Sequence, residues 1–412
     1  MTLSVGFARP QAIYRISIYI FRARHLGRGM AETTRKRVGI MLSIETEHWH
    51  GVLQGLADGF RDAPEIQVVK IARPEKIDGK ALQKLNLDGL ITRVSSKTDE
   101  VTLQKSGLPI VNVSGRYHPA DVDNVFNDDE RVGQMAAAFY QRRGFKNFGF
   151  CGVQRHRSSR LRQVGYEKEL QRLGFSSSEL ILPELPEGDA PSPSATELIA
   201  QWLVQLPRPA AVFGFNDALA RAVAEAAEEV EIKLPDDVAV LGVDNDDIQL
   251  GFSAVALSSI ELNRRRIGNY AAKCMLSRLV KPCQALAMQT VPPLKIVARG
   301  STDKLAVNDS VVAEALDYIT EHLANPISVD DIAREVSVSR RSLEVRFRSA
   351  LQTSVYAEVQ RQQLDRARVL LLETPKMTIA EVAYACGFQD ARHLNVVCRK
   401  KLDCTPGSLR KG

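Results

Sequence analysis

Cysteine is scarce and scattered in this chain: six residues in 412, at positions 151, 274, 283, 386, 398 and 404, with no CxxC pair. That spacing indicates neither a disulfide framework nor a zinc knuckle, and a reduced cytoplasm suits it best. Long apolar runs are missing as well. The nearest approach, Ala12 to Phe21, is about ten residues long, is interrupted by Arg15 and is followed by more arginines. It is too short to span a bilayer and has no small-residue cleavage site. No GxxxxGK[ST] loop, GxSxG elbow or GxGxxG after the first strand occurs in the sequence, so phosphate-cradling, nucleophile-elbow and dinucleotide chemistry have no motif to rest on. His48 and His50 form an HxH pair without a third ligand nearby, which reads as packed or exposed histidine rather than a metal site. With no nucleophile, metal or cofactor motif, an enzyme is not expected.

What is present is enough chain for two or three domains, with 44% apolar residues to fill their cores. The net charge of +6 and a pI near 8.9 permit a nucleic-acid partner without demanding one. Its distribution says more. Met1 to Arg37 carries about +7, Arg334 to Gly412 about +7, and the stretch between about −8, so basic character sits at the two ends. Residues 1–36 read as a basic extension, either a disordered arm or a start assigned too early with Met30 as the initiator; the second reading is preferred.

The most demanding stretch is Thr378 to Pro406. Ile379, Val382 and Ala383 repeat at helical spacing, Cys386-Gly387-Phe388 breaks the pattern, and Leu394 and Val397 restart it. Gly387 suits the positive φ of a tight turn, Phe388 plugs the space between two helices, and Asp390 is placed to cap the second. That helix ends in Arg399-Lys400-Lys401, suited to a helix C-terminus and to phosphates. The same plan occurs about fifty residues earlier, with Ile332, Ala333 and Val336, a turn at Ser337-Val338-Ser339, then Leu343, Phe347 and Leu351. One helix-turn-helix could be an ordinary corner; two copies are harder to dismiss. Between them Val355 to Leu372 reads as one helix spanning roughly 27 Å, comparable with the roughly 34 Å between successive major-groove faces.

These residues resemble the DNA-binding domain of AraC/XylS-type regulators over about Asn308 to Lys411, most specifically at Ile379, Val382-Ala383, Gly387-Phe388, Asp390 and Thr405-Pro406. The resemblance implies base-reading side chains at Arg340, Arg341, Glu344 and Arg348 in the first recognition helix and at Ala391, Arg392, His393 and Val396 in the second. Arg341 could fork onto guanine, Glu344 accept from cytosine N4, and Arg348 meet phosphate. The bland alternative is a solvated basic face. Where the family has Phe, Arg and Phe in the second recognition helix, this chain has Leu394, Val396 and Cys398, so an arginine contact is absent there.

Residues 37–300 alternate short apolar runs with amphipathic helices. Strands are expected at Val38–Leu42, Gln67–Ile71, Gly89–Thr92 and Ile110–Val113, then at Phe148–Gly152, Ala211–Phe215 and Val238–Val243. Helices fall between them, which predicts two doubly wound α/β lobes with ligand-binding strand ends. Those ends carry Glu45, His48 and Trp49, Asp128, Arg162, Asn216-Asp217 and Asp244. Carboxylates and amides pair with vicinal hydroxyls, arginine forks, and a tryptophan face meets sugar C–H groups. Each also has a plainer reading, since Asp128, Asn216 and Asp217 stand at helix N-termini where such residues cap. Arg162 is different: an inward arginine needs an acceptor, and a sugar bridging Arg162 and Asp244 across a cleft would supply one.

On Asp128 in NDDERVG, Arg162 in RLRQVGY, Asn216-Asp217 in FGFNDALA and Asp244 in VLGVDNDD, this part resembles the LacI-type, periplasmic-sugar-binding fold. With VALSSI at 255–260 and VPPLKIVARGSTD at 291–303 running into an AraC-type domain, the whole is similar to the xylose-responsive activators of enteric bacteria. The expected order is a periplasmic-binding-protein-like sensor at 37–300, a linker at 301–307 and an all-α domain with two helix-turn-helix motifs at 308–412. The resemblance implies a D-xylose or related monosaccharide effector, double-stranded DNA, a homodimer, RNA polymerase as a further partner, a cytoplasmic location, no cofactor and no membrane. Departures fall at Glu45 to Trp49 and Arg155 to Arg160. Two other readings stay open: a DNA-binding protein whose sensor only dimerises or contacts proteins, and a sugar-modifying enzyme with an appended DNA-binding domain.

Overall fold

The computed structural model describes residues 18–20, 35–42, 47–72, 77–183, 193–281, 286–303, 309–351, 353–374, 376–402 and 404–411. In chain order the strands are β1 (Ile18–Ile20), β2 (Lys36–Met41), β3 (Ile66–Ile71), β4 (Gly89–Thr92), β5 (Ile110–Asn112), β6 (Asp123–Asn127), β7 (Asn147–Val153), β8 (Ser177–Leu182), β9 (Ala210–Gly214), β10 (Val238–Val243), β11 (Ser258–Glu261), β12 (Met288–Val291) and β13 (Lys295–Val297). The helices among them are α1 (Glu47–Phe60), α2 (Gly79–Gln83), α3 (Lys97–Gln104), α4 (Asp129–Arg142), α5 (Arg157–Arg172), α6 (Pro193–Gln205), α7 (Asp217–Glu229), α8 (Asp247–Gly251) and α9 (Arg264–Val280). After them come α10 (Ser310–His322), α11 (Val329–Glu335), α12 (Arg340–Leu351), α13 (Val355–Glu373), α14 (Ile379–Ala385), α15 (Ala391–Leu402) and α16 (Pro406–Lys411).

The chain divides into two units, Met1–Asn127 with Asn263–Val291, and Asp128–Leu262 with Pro292–Gly412. In the first, the sheet order is β1-β3-β2-β4-β5-β6-β12, parallel except for β1. The second holds a sheet of order β13-β11-β10-β9-β7-β8, parallel except for β13. Stripped of β1, β12 and β13, both sheets have the 2-1-3-4-5 order of a doubly wound fold, whose ligands bind beyond the carboxyl ends of the strands. The expected α/β lobes are therefore present. The returning segment of the first unit is fastened by a buried bidentate pair: Arg278 of α9 donates to Asp123 of β6 at 2.9 and 2.7 Å, and the Ala287 N–H donates to the same carboxylate at 2.7 Å. Of the basic N-terminal extension, Ile18–Ile20 adds antiparallel to Val69–Ile71; Met30 lies outside the described residues.

In the second unit, α4 and α5 approach so closely that only glycine fits at two crossing points. A Cβ on Gly165 would lie 2.0 Å from the Glu130 carbonyl oxygen, and one on Gly133 would lie 2.0 Å from that of Arg162. This contact lays the first half of α5 over the start of α4. Tyr140 of α4 is fully buried and donates to the Val212 carbonyl of β9 at 2.7 Å, tying the helix to its sheet.

The remainder is helical and contains the same motif twice. Ser328 and Asp331 form a capping box at the start of α11, as do Thr378 and Glu381 at the start of α14. Each first helix then turns through a residue of positive φ, Ser337 at 54° and Gly387 at 72°. At the second turn a Cβ would meet the Leu323 carbonyl oxygen at 2.6 Å, which requires glycine beyond the φ preference. Phe388 is buried, as its expected role as a plug requires, and Asp390 accepts from the His393 N–H at 2.6 Å, capping α15. The connecting helix α13 has 19 residues, about 28 Å.

Candidate functional site

At the strand ends of the second unit, buried polar groups gather around the loop that follows β10. Asp244 and Asn245 take φ of 116° and 51°, positions that cost about 1–3 kcal/mol each unless the surroundings over-determine them. Here the surroundings do. Asp217, 1% exposed, accepts from the Ser259 hydroxyl at 2.6 Å and from the Asp246 N–H at 2.9 Å. The Ser259 oxygen in turn accepts from the Asn245 N–H at 2.9 Å, and Arg299 donates to the Asn245 side chain at 2.8 Å. Asp217 thus holds the loop, a role that expecting it only as a cap or a sugar ligand did not foresee. A methyl at Gly242 would lie 2.2 Å from its carboxylate.

Arg162 is 4% exposed. Its Nε donates to Asp129 at 2.9 Å and its Nη1 donates to the Phe215 carbonyl, with the guanidinium 5.8 Å from the Phe215 ring centre. The acceptor that an inward arginine needs is therefore Asp129, from α4, together with the backbone beyond β9. Arg162 and Asp244 belong to the same unit, and no hydrogen bond joins the two side chains directly among those of Arg162. The second carboxylate oxygen of Asp129 is buried without a hydrogen-bond partner, which leaves an acceptor open at this end of α4. Asp128 and Asn216 are helix caps: Asp128 accepts from the Arg131 N–H at 3.1 Å and Asn216 from the Leu219 N–H at 2.9 Å.

In the first unit Trp49 packs with Val38, Leu42 and Val52 and is 4% exposed, so little of its face is open. Glu45 and the side chain of His48 lie outside the described residues. His50 is exposed in the first turn of α1. Among the described residues no group of three or more His, Cys, Asp and Glu is gathered as a metal site.

The second cluster is cationic. On α12, Leu343, Phe347 and Leu351 point inward while Arg340, Arg341 and Arg348 are exposed and Glu344 is half-buried. Arg340 is paired with Asp330 of α11 at 3.0 Å in an exposed pair, which costs little to break. One Glu344 carboxylate oxygen is buried without a hydrogen-bond partner. On α15, Leu394, Val397 and Cys398 are buried and Arg392 and Val396 are exposed, with Ala391 half-buried. His393 is half-buried and lies edge-on to Phe388, ring centres 5.5 Å apart, which gives it a packing role. Val345 and Asn395, not anticipated as contacts, lie on these same faces, as does Arg399.

One element joins the two clusters. Helix α4 begins at the Asp129–Arg162 pair and ends against the helical segment, where Gln141 donates to the Leu351 carbonyl of α12 at 3.0 Å. Next to it Arg142 is half-buried; burial, then the neighbouring Arg361 charge, pushes its pKa down to about 10. Glu358 of α13, 3% exposed, accepts from Arg361 at 2.9 and 2.6 Å and from Gln362 at 3.0 Å. Burial by itself would raise the Glu358 pKa, but the bonds from Arg361 and the charges of Arg361 and Arg142 hold it below the ordinary value. Arg368 of α13 also donates to the Pro293 carbonyl at 2.8 Å.

Doubly wound units of the periplasmic-binding-protein type followed by paired helix-turn-helix motifs define a sugar-sensing, DNA-binding transcription regulator with an AraC-type DNA-binding domain. Family comparison agrees: a periplasmic binding protein-like domain matches residues 137–302 and a helix-turn-helix domain matches residues 332–412. The chain as a whole matches the xylose-responsive activator type. It is 27% identical over 386 residues to the xylose operon regulatory protein of Escherichia coli strain K12, covering 92% of this chain and 97% of that protein. The protein of that name from Haemophilus influenzae is 26% identical over 334 residues, 80% of this chain and 86% of the relative. Among solved structures, that of a xylose-binding transcription activator aligns with a TM-score of 0.57 at 26% identity, over 92% of this chain and 98% of the other. No described helix is long and apolar enough to cross a membrane.

Proposed function

We propose that D-xylose or a closely related monosaccharide is the effector, and that the chain acts as a homodimer in the cytoplasm, without enzymatic activity, to control sugar-utilisation genes through RNA polymerase. The relatives named for xylose support the choice of sugar. In the second unit the effector would meet Asp244 and Asn245 on the strained loop and the Arg162–Asp129 pair, with Asp128 and Asn216 at the adjoining helix starts and Asp217 positioning the loop. Glu45 and His48 are further candidate effector ligands, whereas Trp49 is a core residue. Residues 37–300 form the sensor, 301–307 the linker and 308–412 the DNA-binding domain.

The observation that carries this reading is that α4 has one end in the strand-end cluster and the other against α12 and α13. A sugar hydroxyl that takes the open oxygen of Asp129 alters the Arg162 pair, and a 14-residue helix clamped to its sheet transmits the change as a rigid piece. Arg340, Arg341, Glu344 and Arg348, with Arg392 and Val396, face the DNA. Ala391 and His393 sit at the start of the second recognition helix, where close approach to the backbone is expected.

Fluorescence anisotropy of the full chain on labelled DNA from upstream of its own gene, at fixed salt and with a panel of pentoses and hexoses, tests the reading. A shift in DNA affinity with D-xylose or a close relative establishes effector and coupling together. Tight DNA binding unmoved by every sugar would instead make the sensor a dimerisation module, and turnover of a pentose would revive the enzyme reading.

A further inference from the structure

The two recognition helices present three of the same exposed residues in the same register. An offset of 51 residues superposes Arg341 on Arg392, Val345 on Val396 and Arg348 on Arg399, and likewise the inward Leu343 on Leu394 and Phe347 on Cys398. Burial follows the sequence. Leu343, Leu394, Phe347 and Cys398 are fully buried, whereas Val345 and Val396 are 61% and 56% exposed and all four arginines are exposed. The starts of the helices match too: Ser339 caps α12 by accepting from the Ser342 N–H at 3.2 Å, and Asp390 caps α15 through the His393 N–H at 2.6 Å. An exposed valine amid arginines contributes nothing to either core. It has a use if a methyl-bearing surface arrives there, and in the major groove that surface is the C5-methyl of thymine.

Resting on the DNA-binding reading above, we propose that both motifs read the same short word, so that the chain recognises two direct copies of it about one helical turn apart. In each copy the first arginine forks onto guanine O6 and N7, the valine packs on a thymine methyl about 6 Å further along the helix, and the second arginine meets phosphate. The copies differ where the helices differ. Glu344, half-buried on the same helix, accepts from cytosine N4 in the first copy through its outer carboxylate oxygen. Asn395 forks onto adenine N6 and N7 in the second.

The test is selection of duplexes from a random pool by the full chain, followed by atomic edits of the selected site. The expected product holds one word twice for each chain bound, about 10–10.5 base pairs apart, one helical turn, each copy with guanine and thymine, and with cytosine in one and adenine in the other. Replacing thymine by deoxyuridine in one copy removes only the methyl group. It should weaken binding about fourfold, the factor that burial of one methyl corresponds to. Val345→Ala should abolish that sensitivity in one copy and Val396→Ala in the other; both side chains are exposed, so folding is not at issue. Two unrelated words, or a site indifferent to uracil, would overturn the shared code while leaving DNA binding standing. A pool from which the chain enriches nothing would overturn the DNA-binding reading and the code with it.

Discussion

Glu358→Gln keeps the size of the side chain and removes its charge at the junction between α4 and α13. The carboxylate accepts two bonds from Arg361 and one from Gln362 and is 3% exposed, while Arg142 stands close by. Losing one partner of a buried ion pair costs about 3–5 kcal/mol. Arg361 retains Asp365 at 2.6 Å and its side chain is 31% exposed, so about 2 kcal/mol is expected to go, from bonds within α13 and from the attraction of the carboxylate for Arg142 of α4. That is comparable with a whole allosteric coupling, about 1–3 kcal/mol. The ratio of DNA affinities with and without D-xylose, read by anisotropy, should therefore contract several-fold toward one. A folded Glu358→Gln protein with an unchanged ratio would refute the role given to α4. The pH dependence has a definite sign. A carboxyl held below its ordinary value of 4.5 contributes fully above that value, and its contribution is lost as pH falls through the depressed one. Coupling should not vary with this group between pH 5 and 8.

Gly165→Ala should destabilise the chain by about 3 kcal/mol or more, because the new methyl meets a carbonyl oxygen at 2.0 Å that cannot rotate aside; the urea midpoint and the sugar affinity should fall together. Burial, with Glu167 beside it, raises Glu179 to about 7, so stability should decline as pH rises from 4.5 towards 7 and the carboxyl ionises. Glu179→Gln should flatten that decline in melting temperatures taken across the range. Arg341→Ala should cost about 1–3 kcal/mol in DNA binding and relax one base preference, while Arg348→Ala should weaken all sequences alike and reduce the salt slope by about one. A uniform loss in the first variant would move Arg341 to the backbone contacts.

The parts legible in the sequence are those with a strong local cause. β4 and β10 begin and end where apolar runs do, and Gly387, Phe388 and Asp390 announce a turn that the backbone then makes. β6 and β8 escaped because Asp123-Asn124 and Ser177-Ser178-Glu179 interrupt their apolar character; β8 lies at the sheet edge with one strand neighbour. The polar residues at the strand ends were legible as a set but not in their parts. Nothing in FGFNDALA distinguishes an aspartate that touches a ligand from one that accepts a hydroxyl 42 residues away, as Asp217 does from Ser259. Trp49 looked like a stacking face because its burial depends on α1 packing against β2. Val345 carries no local signal of its own, and only aligning the two motifs at an offset of 51 sets it beside Val396.

The strained loop is also bonded to the segment 299–302, which precedes the DNA-binding helices in the chain. Arg299 pins Asn245 through its guanidinium, donates to the Leu257 carbonyl at 2.9 Å, and through its own N–H meets the Ser258 hydroxyl at 2.7 Å. Ser301 donates to the Val240 carbonyl of β10 at 2.6 Å and accepts from the Ser258 N–H at 2.8 Å. The chain therefore leaves the sensor at a point bonded to the strand whose end carries Asp244 and Asn245. A change in that loop would reach the exit segment 299–302 by direct hydrogen bonds. A signal that used the exit segment alone would leave Glu358 without a part in it, because that carboxylate bonds within α13 and lies in the field of Arg142 at the end of α4, with no residue of 299–302 among its bonds. Loss of coupling on its neutralisation thus separates the helix from the linker as the carrier.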